Sequence, residues 1–211
     1  MKTILSILFC ITISLFNLPV HAEVSVNTNL ELKPTIGVLV GGQGTIRTNE
    51  KAMKTVLEKL EEKFPKSKYN LVTDKDLAKD ALVFAEDEEI TGISQIKKGQ
   101  LAKFGKNHSF DYIISLSFGV GHGRSGMNFW TVTYDSDVDL QAKVVEVTSG
   151  NYIYRQNITG HGSSADMFGM PSSVAAFAEA TKKCMETFCK EIVISPVKPE
   201  KSETIPTTEK Q

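Results

Sequence analysis

The chain has 211 residues, with 24 Lys and Arg against 25 Asp and Glu and a formal net charge of −1. No basic surplus marks it for nucleic acid or anionic lipid. Its three cysteines exclude a disulfide scaffold, and an apolar fraction of 41% is enough for one ordinary domain with a real core.

Lys2 precedes the apolar stretch "ILSILFCITISLFNL", which ends at "VHA" with small residues at cleavage spacing. That pattern predicts a secretory signal peptide over residues 1–22. Cys10 follows Phe9 inside the apolar core, so no lipidation site is read there. The mature chain is then expected to hold a single domain over 23–195, with no transmembrane segment. Beyond Ser195 the proline-punctuated, charged stretch predicts a disordered tail, 196–211.

Residues 23–33 read as an irregular lead-in. "TIGVLV" (35–40) predicts a buried strand, followed by a "GGQGTIRTN" loop. Thr48 or Asn49 can cap a helix whose apolar face is Met53, Val56, Leu57, Leu60 and Phe64, and Pro65 stops it. "KYNLVT" predicts a second strand, parallel to the first. "DKDLAKDALVFA" reads as a short helix with an acidic cap, and "EDEE" (86–89) as a solvated loop. Ile93, Ile96, Leu101 and Phe104 mark another helix, ended by Gly105.

"FDYIISLSF" (110–118) predicts a central strand, apolar on both faces, and a glycine-rich loop follows. From Trp130 the chain alternates, with Val138, Leu140, Ala142 and Val144 on one face and Asp137, Asp139, Gln141 and Lys143 on the other. "VTSGNY" predicts a hairpin turn, and "YIYRQNIT" a returning antiparallel strand. A last helix over 171–192 carries the stripe Val174, Phe177, Ala178, Thr181, Met185, Phe188 and Ile192. The expected fold is α/β (α+β): a mixed sheet of about five strands flanked by helices, closing with an antiparallel hairpin and a helix.

Three motifs bear on chemistry. Gly121-His122-Gly123-Arg124-Ser125-Gly126 fits G-x-G-x-x-G after an apolar strand, but a dinucleotide loop needs its last glycine to open a helix. Here β-branched and aromatic residues follow, so the stretch reads as a strand-to-strand loop. His122 and His161, with Asp135, Asp137, Asp139 or Asp166, are the candidate metal donors. No fixed-spacing metal motif contains them, and two exposed loop histidines are the competing reading. The amides of Gly41, Gly42, Gly44 and Thr45, with Arg47, make a candidate anion or ligand cradle, although no G-K-[ST] closes it. No nucleophile motif is present, and no cofactor is expected.

Cys184 and Cys189 lie five apart on the last helix. At about 100° per residue their side chains diverge by about 140°, beyond ordinary disulfide reach. Free thiols are expected, with a distorted or intermolecular bridge as alternatives.

"KFGKNHSFDYIISLSFG" and "VDLQAKVVEVTSGNYIYRQNITGHG" carry a resemblance, with Asp111 and Gly150 as its main fixed points. Over about residues 34–192 the chain resembles the envelope-protein superfamily of the curli secretion-channel component, the amino-terminal domain of the Tol translocation protein and the lipoprotein activators of peptidoglycan synthases. The resemblance implies a mixed sheet with helices in an envelope protein of a two-membrane bacterium. It implies a binding or assembly role without catalytic residues. The chain departs from the channel branch: it lacks the lipobox cysteine, and 119–137 is Gly-rich and polar. Neither lipid anchor nor pore carries over.

The leading expectation is a non-catalytic periplasmic or secreted module that binds another cell-envelope protein, with homo-oligomerisation open. Its expected contact residues are His122, Arg124, Met127, Phe129 and Trp130. The alternatives are a small metal-dependent hydrolase using His122 and His161, or a sensor of small anionic ligands at 41–49.

Overall fold

The computed structural model describes residues 33–42, 45–127, 130–166 and 171–199. The expected signal peptide and most of the expected tail lie outside these residues, as do Gly44 and Phe129.

β1 (Thr35–Gly42) is the apolar run "TIGVLVGG". A single turn, α1 (Thr45–Thr48), buries Ile46 and leads into α2 (Glu50–Lys63). Asn49 caps α2: its Oδ1 accepts from the Ala52 N–H at 3.0 Å, and its Nδ2 donates to the Val174 carbonyl at 3.1 Å. One side chain thus starts one helix and ties it to another. β2 (Asn70–Val72) pairs parallel to β1, as the strand-helix-strand order predicts. Asp74 caps α3 (Lys75–Asp87) through the Leu77 N–H at 2.7 Å.

The expected loop at 86–89 is mostly helix end. Glu86 and Asp87 close α3, and Glu88 accepts from Gln100 and Lys103 of α4 (Lys98–Asn107). Ile93–Gln95 forms a separate 3-10 turn rather than the start of α4. Gly105 lies inside α4, not at its end. A Cβ there would strike Val147, so close helix-to-sheet packing selects the glycine.

β3 (Tyr112–Met127) and β4 (Val132–Glu146) are antiparallel, and β5 (Asn151–Asp166) returns antiparallel to β4. Strand order is β2-β1-β3-β4-β5, with β1–β3 also parallel. The sheet is therefore mixed and five-stranded, with helices on both faces. Asp111 joins its parts: Oδ2 accepts from the Thr35 N–H at 2.8 Å, and Lys198 Nζ lies 3.5 Å away. Gly150 sits at φ +65° in the β4–β5 turn, a backbone conformation that glycine adopts without strain.

Two cores result. On one face α2 and α5 (Ser173–Glu191) cover Ile114, Leu116, Phe118, Val138, Leu140 and Ala142. On the other, α3 and α4 cover Leu39, Ile113 and Val145 through Leu77, Leu101 and Phe104. Val174 departs from the expected α5 stripe and is 54% exposed, while Phe177, Ala178, Thr181, Met185, Phe188 and Ile192 are buried as expected, joined by Ala176, Ala180 and Cys184.

GHGRSG is not a loop. Residues 121–126 continue β3, with a register shift between Val120 and Gly123 and pairing as far as Met127↔Val132. β5 likewise runs on through the second Gly-His-Gly to Asp166. Glycines have low strand propensity, so local sequence reads them as a loop. Cross-strand pairing with the alternating β4 overrides that preference. At about 3.3 Å per residue these 16-residue strands reach about 50 Å, against about 28 Å for the 19-residue α5. The three-stranded ribbon runs on past α3 and α4, while on the other face the start of α5 still reaches it, the Ser172 N–H donating to Ser164 Oγ at 3.2 Å.

Candidate functional site

Alternation along β4 puts two chemistries on opposite faces. Ser136, Val138, Leu140 and Ala142 are buried, the last three in the core under α5. Asp135, Asp137, Asp139, Gln141 and Lys143 share the other face. Register sets Ser117 and Asn157 beside Gln141, Thr159 beside Asp139, His161 beside Asp137, and Arg124 and Ser163 beside Asp135. The result is a polar ladder across three strands.

Two rungs are bonded. Thr159 Oγ1 donates to Asp139 Oδ1 at 2.6 Å. His161 Nδ1 lies 2.7 Å from Asp137 Oδ1, where the ring N–H donates to the carboxylate. That bond, joined by the charges of His161, Arg124 and His122, holds the Asp137 carboxyl below its ordinary value. The fold thus gathers both sequence-selected histidines around one aspartate. Among the described residues, no three His, Cys, Asp or Glu side chains converge as a metal-ligating group.

Closer to the helices this face becomes the floor of a groove of about 1180 Å³. Ala78, Ala81, Leu82 and Ala85 of α3 make one apolar wall at helical spacing, and Ile93 stands at the end. Ser117, Gln141, Asn157 and Asp139 supply polar floor. Lys143 fixes the wall to the sheet: its buried ammonium donates to the Ser94 carbonyl at 2.6 Å and the Ile96 carbonyl at 3.0 Å. Desolvation, then the nearby Arg155 charge, lowers its pKa. Gln141 Oε1 is buried and accepts no hydrogen bond.

The residues singled out from sequence fall into two places. Gly41 and Gly42 end β1 at the groove, and Gly42 lines it. Gly42 has φ +142°, and a Cβ there would strike the Phe118 carbonyl, so backbone geometry alone calls for glycine. Thr45 and Arg47 lie in α1, which separates the Gly41–Gly42 amides from the capped start of α2. His122, Arg124 and Met127 lie along distal β3, and Trp130 follows in the β3–β4 turn. Met127 is 82% exposed and Trp130 72%. Sequence reading missed the groove, because Ala78, Gln141 and Asn157 come together only through sheet register. The one local signal was the small-residue spacing on α3.

No protein-family model and no curated protein matches the sequence. Among solved structures, a neuraminyllactose-binding hemagglutinin homolog from Helicobacter pylori is similar over 77% of this chain and 84% of its own, at 13% identity and a TM-score of 0.43. A hypothetical protein from Chlamydia trachomatis is similar over 75% and 94%, at 9% identity and 0.40. Lipoprotein GNA1162 from Neisseria meningitidis is similar over 73% and 99%, at 11% identity and 0.36. All three are bacterial, and one is a lipoprotein. Among the described residues no helix is long and apolar enough to cross a membrane.

Proposed function

We propose that this chain is a non-catalytic module of the bacterial cell envelope, exported by the leader 1–22, that binds another envelope protein through its ribbon. The ribbon carries the reading. Three hydrogen-bonded strands hold the exposed Arg124 and Met127 along the far end of the ribbon, with Trp130 at the turn. Arg, Met and Trp are the residues that concentrate at protein interfaces, and a paired ribbon presents them with little ordering cost. Homo-oligomers fit the same surface, since β5 is an edge strand with a full row of backbone groups on its outer side.

The test is cross-linked capture from the native envelope, comparing the wild-type chain with a variant carrying His122→Ser, Arg124→Ser, Met127→Ser and Trp130→Ser. One reproducible envelope partner, lost in the variant while its melting temperature holds, supports the proposal. A partner retained equally by both proteins moves the contact elsewhere, and a turnover activity in the purified protein ends the non-catalytic reading.

A further inference from the structure

We infer that the groove between α3 and the polar sheet face is a binding site for a primary alkylammonium group, an apolar stem ending in –NH₃⁺. Three features of the groove converge on that chemistry.

Its wall is apolar and open. Ala78, Ala81 and Ala85 leave room beside Leu82, which is 52% exposed although it faces a concave surface. An aliphatic stem laid along this wall would remove apolar surface from water.

Its floor holds an unpaired acceptor. Gln141 Oε1 is buried without a hydrogen-bond partner, and leaving a buried acceptor unpaired is costly. The Gln141 side chain is itself partly exposed, and turning its amide into the groove lets a donating ligand relieve the cost.

Its charge has one sign. Among the described residues lining the groove, Asp139 is the single ionisable side chain. The nearest buried cation, Lys143, already spends its hydrogens on the Ser94 and Ile96 carbonyls. Asp139 and Gln141 stand two residues apart on one face of β4, about 7 Å at the backbone, so their side chains can share the three donors of one ammonium group. Thr159 holds one Asp139 carboxylate oxygen in place, which orients the acceptor. An anion is repelled by the same carboxylate, and a neutral alcohol leaves it without a counter-charge.

Two sources carry this chemistry: a lysine side chain of a partner protein, or a free aliphatic amine. The groove stands apart from the ribbon residues, so this inference and the ribbon contact can each fail alone.

Calorimetric titration of the full chain with n-hexylammonium chloride, n-hexanol and sodium hexanoate tests it, alongside an end-blocked Ala-Ala-Lys-Ala-Ala peptide. Hexylammonium or the lysine peptide should bind about tenfold or more tighter than hexanol, the scale of one charge-assisted hydrogen bond, and hexanoate should not bind. Asp139→Asn, nearly isosteric at an exposed position, should weaken binding by about the same factor. Gln141→Met should weaken it as well, while the protein melts no lower than wild type. Binding of the peptide identifies a partner's lysine as the source, and binding of hexylammonium alone identifies a small amine. Equal binding of hexanol and hexylammonium, an affinity unchanged in Asp139→Asn, or no binding by either cation overturns the assignment.

Discussion

Cys184 and Cys189 behave as two different residues despite their shared helix. Cys184 is buried against β4 and β5, its Sγ 3.4 Å from the Val138 carbonyl and 3.7 Å from that of Ile158. Cys189 turns toward α2, 3.5 Å from the Lys59 carbonyl. The five-residue spacing already implied diverging side chains; packing decided which surface each meets. Burial pushes the Cys184 thiol up to about 12, with the Asp139 charge adding to it, and pushes Cys189 up to about 11. Neither is a thiolate at neutral pH, so iodoacetamide at pH 8 should label both only after urea is added. The sign of the linkage follows from raised acids: stability is fully present below the ordinary thiol value of 9.0 and is lost as pH rises toward 11 and 12. The urea midpoint should therefore fall between pH 8 and pH 11, and fall less in Cys184→Ala. Rapid labelling of the native protein at pH 8 would contradict this account.

At the scale of elements, α5 and β5 touch more closely than side chains normally allow. A Cβ at Gly160 would strike the Ala180 carbonyl, and one at Gly162 the Ala176 carbonyl. The second Gly-His-Gly is thus a packing motif: both glycines face α5, and His161 faces the polar ladder. Read locally, it passes for a turn, because the helix that requires the glycines arrives later in the chain. Gly162→Ala should cost about 1–3 kcal/mol in urea unfolding, since the backbone it meets cannot rotate away. Gly99→Ala is the control. It lies in α4 with nothing within 4 Å of the added carbon, and should gain about 0.5–1 kcal/mol. Equal effects at the two sites would show that helix and strand are not in the contact described. Two helix starts were legible, since Asn49 and Asp74 sit where capping chemistry predicts; Ser172, which caps α5 through the Ala175 N–H, was not singled out, and α4 starts later than its apolar spacing suggests.

Across the whole molecule, the 90–96 segment links α3 to α4 over the polar face of the sheet. Lys143 is the bolt. Its ammonium satisfies two carbonyls of that segment from beneath, at the junction between core and groove. Lys143→Met keeps the stem and deletes the donors, leaving the Ser94 and Ile96 carbonyls without them. Amides of residues 93–96 should then exchange with solvent at least about tenfold faster, while amides of β3 and β4 stay protected, because local opening is separate from global unfolding. Unchanged exchange at 93–96 would show that Ile93 and Ile96 packing alone seats the segment.

Local sequence determined the parts of this protein that depend on neighbours in the chain. The apolar run 35–40, the caps at Asn49 and Asp74, the alternation through β4 and the turn at Gly150 each follow from period, capping or backbone preference within a few residues. Only the tertiary structure decided what depends on partners far along the chain. Residues 121–126 became a strand because β4 pairs with them, against the low strand propensity of glycine. Ala78, Ser117, Gln141, Asn157 and Asp139 became one groove because sheet register and the docking of α3 set them side by side. The physical reason is range: propensity and capping act within about one helical turn, whereas register is fixed by hydrogen bonds and side-chain burial between strands dozens of residues apart.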